Sequence, residues 1–246
     1  MSVKNIRISV ITATYNSEDN LPALIKSLAN QSDLEYEWVV ADGGSTDRTL
    51  SLIEDARKKI PCIVLDSRED FGIYDALNRA IKLASGDYYL IAGSDDIFYP
   101  EALRGYRSAC ESANTEIVTA SIHSGEVLIE PGARPWPQLY GPFARISGHA
   151  VGVAILRSLH DRIGYYSRFY PIAADQFFLS KALLAGARVE TAPFVAGKYA
   201  HGGTSGQHLL AYFLEAFRVQ VSIGRPFTLQ LLILLIRIIK NFRLLK

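Results

Sequence analysis

Four short β-rich runs, separated by stretches of helical periodicity, constrain the fold of this chain more than any other feature of its 246 residues. Ile8-Ser-Val-Ile-Thr-Ala13 runs into a polar stretch from Thr14 to Asn20, and Trp38-Val-Val-Ala41 runs into Asp42-Gly-Gly-Ser45. Cys62-Ile-Val-Leu65 follows, and Tyr88-Tyr-Leu-Ile-Ala92 leads directly into Gly93-Ser-Asp-Asp96. Between the runs, Leu21, Leu24, Ile25 and Leu28, then Leu50, Ile53, Ala56 and Ile60, then Ile73, Ala76, Leu77, Ala80, Ile81 and Ala84 recur at helical spacing. Pro22 is tolerated in a first turn, and Gly86 lies just past the third helix. Such alternation predicts βαβ units: an α/β, Rossmann-like open sheet, mostly parallel, with helices on both faces. Right-handed crossovers place the strand C-termini on one edge, where ligands of open α/β sheets bind. Polar clusters fall at three such ends: Thr12 to Asn16, Asp42 to Asp47, and Ser94 to Asp96.

Beyond Pro100 the pattern loosens. Glu130 to Pro142 holds four prolines and two glycines and reads as an extended surface loop, and a helix begins near Ala174-Asp175 and ends before Gly186. Aromatic content of 11% and charged content of 21% describe a globular chain. A net charge of +1 gives no bulk reason to expect nucleic acid as a partner. Cys62 and Cys110 lack metal-type spacing and read as reduced thiols, and the N-terminus lacks a signal-peptide pattern. Both point to a cytoplasmic protein.

The acidic clusters carry the chemistry. On an extended chain the adjacent Asp95 and Asp96 point to opposite sides, so one is expected to ligate an ion while the other reaches a ribose hydroxyl or the ion's water. A hard divalent cation takes one or two carboxylates and completes its shell with phosphate oxygens and water. Asp42-Gly-Gly-Ser-Thr-Asp47 reads both as a strand-to-helix turn and as a place where bare glycines let a nucleotide approach the backbone.

At this point the motifs Val10-Ile-Thr-Ala-Thr-Tyr-Asn16, Val39 to Asp47, Gly72-Ile-Tyr-Asp-Ala-Leu-Asn78 and Ala92 to Asp96 resemble family-2 glycosyltransferases with the GT-A fold, in order and spacing. The stretch from Gly72 to Asn78 resembles bacterial exopolysaccharide and O-antigen transferases. The resemblance implies a nucleotide-diphosphate sugar donor, a glycan or lipid-linked acceptor, and Mg²⁺ or Mn²⁺. Thr12, Tyr15 and Asp42 would hold the nucleoside, Asp95 the ribose or the ion's water, and Asp96 the metal. Asp175 would be the general base of an inverting transfer, although the family's usual Glu-Asp pair is Ala174-Asp175 here. A helix N-terminus there is expected to keep Asp175 ionised and lower its basicity. His201-Gly-Gly-Thr-Ser205 resembles the family's mobile loop, with His201 completing the metal shell or contacting the diphosphate, and His149 lines the acceptor cleft or packs structurally. His123, His160 and His208 read as surface or packing residues.

These implications divide the chain into a catalytic domain over residues 1–215, with a nucleotide-binding half to residue 100 and an acceptor-binding half beyond, and a helical tail over 216–246. Leu229 and the run Leu231 to Ile236 form an apolar block followed by Arg237, Lys240, Arg243 and Lys246, too short to span a bilayer. Two readings stay open: packing on the domain or on a second copy, and an amphipathic helix at the inner face of the cytoplasmic membrane. No Gln-x-x-Arg-Trp signature of processive synthases occurs, and Thr12 to Asn16 lack the basic residues of a nucleotidyltransferase loop. A catalytically silent binding homologue remains the alternative to an enzyme.

Overall fold

The computed structural model describes residues 6–111, 115–132, 141–147, 150–199 and 208–244. The expected first half is present: β1 (Ile8–Thr14), α1 (Leu21–Ala29), β2 (Tyr36–Asp42), α2 (Thr49–Ala56), β3 (Ile63–Ser67), α3 (Ile73–Leu83) and β4 (Tyr88–Ile91). β1 pairs in parallel with β2 on one side and β4 on the other, and β2 pairs in parallel with β3. The spatial order β3-β2-β1-β4 means that the chain leaves β1 first in one direction and then in the other. A crevice therefore opens beyond the C-terminal ends of β1 and β4, the switch point where open α/β sheets hold ligands.

The second half extends the sheet with β5 (Ile97–Phe98), β6 (Ile117–Ser124), β7 (Val127–Ile129), β8 (Val153–Leu156) and β9 (Val189–Tyr199). β8 is antiparallel to both β4 and β6, β6 and β9 are parallel, and β5 returns antiparallel to β9. β7 forms a hairpin with β6. The remaining helices are α4 (Ala102–Cys110), α5 (Leu159–Ile163), α6 (Ala174–Leu184), α7 (Leu209–Ser222) and α8 (Phe227–Lys240).

Strand alternation sends side chains to two cores. Val10, Trp38, Val40 and Leu90 pack on one face with Leu24, Ile53 and Leu103 from α1, α2 and α4. Ile11, Val39, Ala41 and Tyr89 pack on the other with Leu77, Ile81 and Phe178 from α3 and α6. Each fully buried large aliphatic contributes roughly 1.5–3 kcal/mol, enough to fix strand register and hence the polar ends. Gly86 is required by close approach rather than by a left-handed cap: an added Cβ would lie 2.4 Å from the Ser9 hydroxyl.

The tail is a helical hairpin. Helix α7 runs across the 215/216 boundary expected from composition, and its Val219 lies in the second core. Helix α8 packs back on it, with Phe217 and Phe227 in edge contact at 5.5 Å. Among the described residues, no helix is long and apolar enough to cross a membrane. The extended loop expected over Glu130 to Pro142 falls largely on residues 133–140, outside the described residues.

Candidate active site

The turn after β2 is built around one carboxylate. Asp42 is fully buried. Its Oδ1 accepts from the Thr14 and Ser45 hydroxyls, and its Oδ2 from the backbone N–H groups of Gly44 and Ser45 and the Ser67 hydroxyl. Burial pushes the carboxyl up, but the bonds from Ser45, Ser67 and Thr14 outweigh it and hold the pKa below the usual aspartate range. Asp42, expected to face a nucleobase, thus has its acceptor sites filled by its own turn and by the neighbouring strands β1 and β3. It shapes the loop instead. Gly44 takes the left-handed conformation, φ 86°, that this turn needs.

The loop after β1 is laced to that turn. Gly43 N–H donates to the Thr14 carbonyl, Asn16 N–H to the Ser45 hydroxyl, and Thr46 N–H to Asn16 Oδ1. Thr12 also differs from expectation. It is fully buried within the sheet, and its hydroxyl accepts from the Trp38 indole N–H at 3.0 Å. Tyr15 is 65% exposed, and its ring edge lies beside Gly43. Its face is therefore free to stack on a flat ligand. An added Cβ at Gly43 would come within 2.8 Å of an Asp70 oxygen and 3.4 Å of the Tyr15 ring. The adjoining β3 end is tied down by Arg79, which bridges to Asp66 at 2.6 Å and donates to the Asp42 and Arg68 carbonyls.

Asp95 and Asp96 do not diverge as an extended pair would. The chain turns at Gly93, with Asp96 N–H donating to the Gly93 carbonyl and Asp96 Oδ2 accepting from Gly93 N–H at 2.7 Å. A Cβ on Gly93 would lie 2.8 Å from Asp95 Oδ1 and 3.2 Å from Asp96 Oδ2, so both carboxylates fold over the same bare glycine. Their charges, after burial, raise the pKa of Tyr199 at the end of β9. Converging hard oxygens from two carboxylates suit Mg²⁺ or Mn²⁺ completed by phosphate oxygens and water. Among the described residues no third acidic, histidine or cysteine ligand joins them. His201 and the glycines beside it, and His149, lie outside the described residues.

Asp175 stands in the first turn of α6 and lines the same cavity as that pair. Its Oδ1 lies 2.9 Å from the Tyr74 hydroxyl, which also lies 3.0 Å from the Ile172 carbonyl. The two residues before α6 are clamped by Glu215 of α7, whose Oε2 accepts from Ile172 N–H at 2.8 Å and Ala173 N–H at 2.9 Å. The Asp175 pKa is raised, mainly by burial, against the lowering bonds from Tyr74 and Gln176 N–H, and the Glu215 charge adds to the rise. This reverses the expectation drawn from the helix dipole. Desolvation by the cavity wall exceeds the effect of a helix end, which falls off within one turn.

Behind this wall, His160 Nδ1 lies 3.0 Å from the Gly164 carbonyl, which requires an N–H there and leaves Nε2 as an acceptor. Tyr89 O–H then donates to Nε2, and Tyr166 O–H to Tyr89. Burial lowers the His160 pKa, in keeping with a neutral ring and with the packing role expected for it.

Tyr15, Asn16, Asp95, Asp96, Tyr74 and Asp175 line one cavity of about 770 Å³ at the switch point. Thr12 and Asp42 lie behind its wall and do not line it. A second hollow of about 400 Å³ lies between Arg68, Asp75, Lys82 and Arg168, and none of the expected site residues lines it. A family model for glycosyl transferase family 2 matches residues 9–169.

The chain belongs to that family and is a glycosyltransferase. It is similar to the PGL/p-HBAD biosynthesis glycosyltransferase of Mycobacterium tuberculosis, 28% identical over 243 residues, covering 93% of this chain and 89% of the relative. It is also 28% identical over 218 residues to the poly(ribitol-phosphate) beta-N-acetylglucosaminyltransferase TarS of Staphylococcus aureus, covering 85% of this chain but 38% of TarS. The crystal structure of TarS 1–349 with UDP-GlcNAc superposes with a TM-score of 0.67 at 21% identity, over 97% of this chain and 73% of that one. The mannosyltransferase PcManGT from Pyrobaculum calidifontis, solved with GDP-Man and Mn²⁺, gives a TM-score of 0.67 at 20% identity, over 98% and 76%. These likenesses establish the GT-A fold for this glycosyltransferase.

Sequence reasoning assigned no task to three residues of this site. Tyr74 lies in the Gly72 to Asn78 motif, whose helical spacing puts it on the face shared with Leu77, and that signal was readable. Gly93 was visible only as a turn residue. Glu215 sits forty residues beyond Asp175, and nothing local marks it.

Proposed function

We propose that this glycosyltransferase performs an inverting, single-displacement, non-processive transfer from a nucleotide-diphosphate sugar, a UDP-sugar in the first instance, to an acceptor hydroxyl. The observation that carries the reading is the sharing of one cavity by the Asp95–Asp96 pair and the single raised-pKa carboxylate of Asp175. Tyr15 offers its exposed ring to the base, and the Gly43–Ser45 backbone, held by Asp42, borders the nucleoside. Asp95 would reach the ribose or an ion's water, and Asp96 would hold Mg²⁺ or Mn²⁺, with His201 completing the metal shell or contacting the diphosphate. When bound, such a cation offsets the negative charge gathering on the departing diphosphate.

Asp175 accepts the proton of the acceptor hydroxyl as the new bond to the anomeric carbon forms and the bond to the diphosphate oxygen breaks. Its raised pKa makes it a better base than an ordinary surface aspartate, and Tyr74 fixes its orientation. Of the carboxylates in the described lining, two belong to the pair and one to the acceptor side. That leaves no second carboxylate to serve as a nucleophile for double displacement, and direct displacement inverts the anomeric centre. Two proteins similar to this one in sequence are named as a PGL/p-HBAD biosynthesis glycosyltransferase and a poly(ribitol-phosphate) beta-N-acetylglucosaminyltransferase. They support an acceptor that is a surface glycan or a lipid-linked intermediate. Action in the cytoplasm, at the inner face of its membrane, belongs to the same reading.

Thermal-shift screening against UDP-, GDP-, dTDP- and CDP-sugars with Mn²⁺ identifies the donor, and the anomeric coupling in the NMR spectrum of the product gives the stereochemistry. Stabilisation by one donor class and product of inverted configuration are expected. Retention of configuration overturns the mechanism, and no shift with any donor favours a silent homologue.

A further inference from the structure

The outward face of α8 is more apolar than the face it packs. Only Gln230 and Leu234 of this helix are buried, whereas Leu229, Leu232, Leu235, Ile236 and Ile239 are exposed, Ile239 by 75%. Phe242, just beyond, is exposed by 61%. A helix that turns a continuous aliphatic stripe to solvent marks an interaction surface. The charged residues of the chain from Arg218 onward are all of one sign. Glu215 is the last acidic residue in the chain, and Arg218, Arg225, Arg237, Lys240, Arg243 and Lys246 follow it. Residues 1–215 hold twenty cations against twenty-five acids, so the chain's net charge of +1 conceals an acidic body and a basic hairpin.

We infer that the α7–α8 hairpin is a docking surface for an anionic lipid bilayer, and that it brings the acceptor side of the cavity to that surface. An aliphatic stripe with flanking cations fits the boundary between acyl chains and anionic headgroups. A second copy fits less well, because self-pairing of this face would bring two like-charged sets of cations together. The hairpin also borders the site itself. Tyr212 of α7 lines the cavity, Glu215 clamps the backbone before Asp175, and the Ser222 hydroxyl lies 2.8 Å from that of Tyr170. An acceptor held in the same bilayer therefore meets the cavity at the wall that carries Asp175. This inference rests on reading the cavity as the transfer site.

The test uses the full chain, vesicles of phosphatidylcholine with or without about one-third phosphatidylglycerol, and the double variant Leu232→Glu/Ile236→Glu, which alters exposed positions only. Wild-type protein is expected to float with the anionic vesicles, and the variant to lose at least tenfold in partitioning while keeping its thermal shift with UDP-sugar and Mn²⁺. Radiolabel from the UDP-sugar, supplied with lipid extract in the vesicles, should enter the lipid-extractable fraction with wild type and fall by a similar factor with the variant. Wild-type protein that stays out of both vesicle types overturns the docking surface. So does a lipid-free dimer, seen by light scattering, that the same substitutions dissociate. Equal labelling by wild type and variant overturns the delivery of acceptor. Flotation without any donor-dependent shift leaves docking standing and removes the donor reading beneath it.

Discussion

Asp42, fully buried at the end of β2, and Asp175, half-buried in the first turn of α6, are two aspartates driven in opposite directions. Asp42 is ringed by hydroxyls and N–H groups from its own turn and from neighbouring strands, and its pKa is lowered. Asp175 stands in a cavity wall with the Tyr74 hydroxyl and one N–H, and its pKa is raised. Burial raises both; at Asp42 the hydrogen bonds outweigh it, whereas at Asp175 burial and the Glu215 charge outweigh the fewer bonds. A carboxylate saturated with donors becomes part of the scaffold. One left under-supplied stays available to take a proton.

The sharpest way to break this contrast is Asp175→Asn. Turnover should fall by about 10³ or more, toward the upper range for general-base catalysis, while titration calorimetry finds donor affinity within about twofold of wild type. Lost donor binding, or normal turnover, removes Asp175 from the proton-accepting role. Next in size is Asp96→Asn, for which steady-state kinetics should show turnover reduced about 10²-fold or more, with a higher Mn²⁺ requirement. An unchanged metal dependence would displace the cation from Asp96.

Asp42→Asn acts on stability instead. An amide NH₂ would face donors, and leaving one or two buried groups unsatisfied costs about 3 kcal/mol, measurable by urea denaturation. The pH dependence separates the two residues further. The lowered Asp42 pKa gives stability that is present at neutral pH and is lost as pH falls through its folded value, so the deficit of Asp42→Asn should shrink on acidification. The raised Asp175 pKa works the other way: its ionisation costs stability as pH rises through the folded value. Asp175→Asn should therefore match wild type in acid and be equal or more stable at pH 8, in melting temperature. A parallel pH trend for the two variants would erase the distinction. The smallest effect is expected from Gly93→Ala, which should displace the Asp95 carboxylate from its 2.8 Å approach and weaken metal-dependent donor binding several-fold.

Much of this was legible in the chain. Apolar periodicity located β1 to β4 and α1 to α3, because both faces of the sheet are covered and β1, β2 and β4 are buried along almost their whole length. It also set Asp42, Asp95 and Asp96 at strand ends. What it did not give depends on contacts distant in sequence. The antiparallel return of β8 and β5 follows from pairing with strands far along the chain. Thr12 looked like a ligand residue until Trp38, twenty-six positions away, took its hydroxyl. Asp95 and Asp96 were expected to diverge because local pleating was extended over a residue that turns. The sign of the Asp175 shift followed the same pattern: a helix end is visible in sequence, whereas the Tyr74 wall and the Glu215 clamp are tertiary.

The most direct measurement is the pH–rate profile of kcat/KM for wild type and Asp175→Asn with the same donor and acceptor. The account predicts a wild-type acid limb set by one group whose pKa lies above the ordinary aspartate range, with rate lost as pH falls through it, and a low profile without that limb in the variant. An acid limb that persists in Asp175→Asn, or a wild-type limb at or below the ordinary aspartate value, would contradict it.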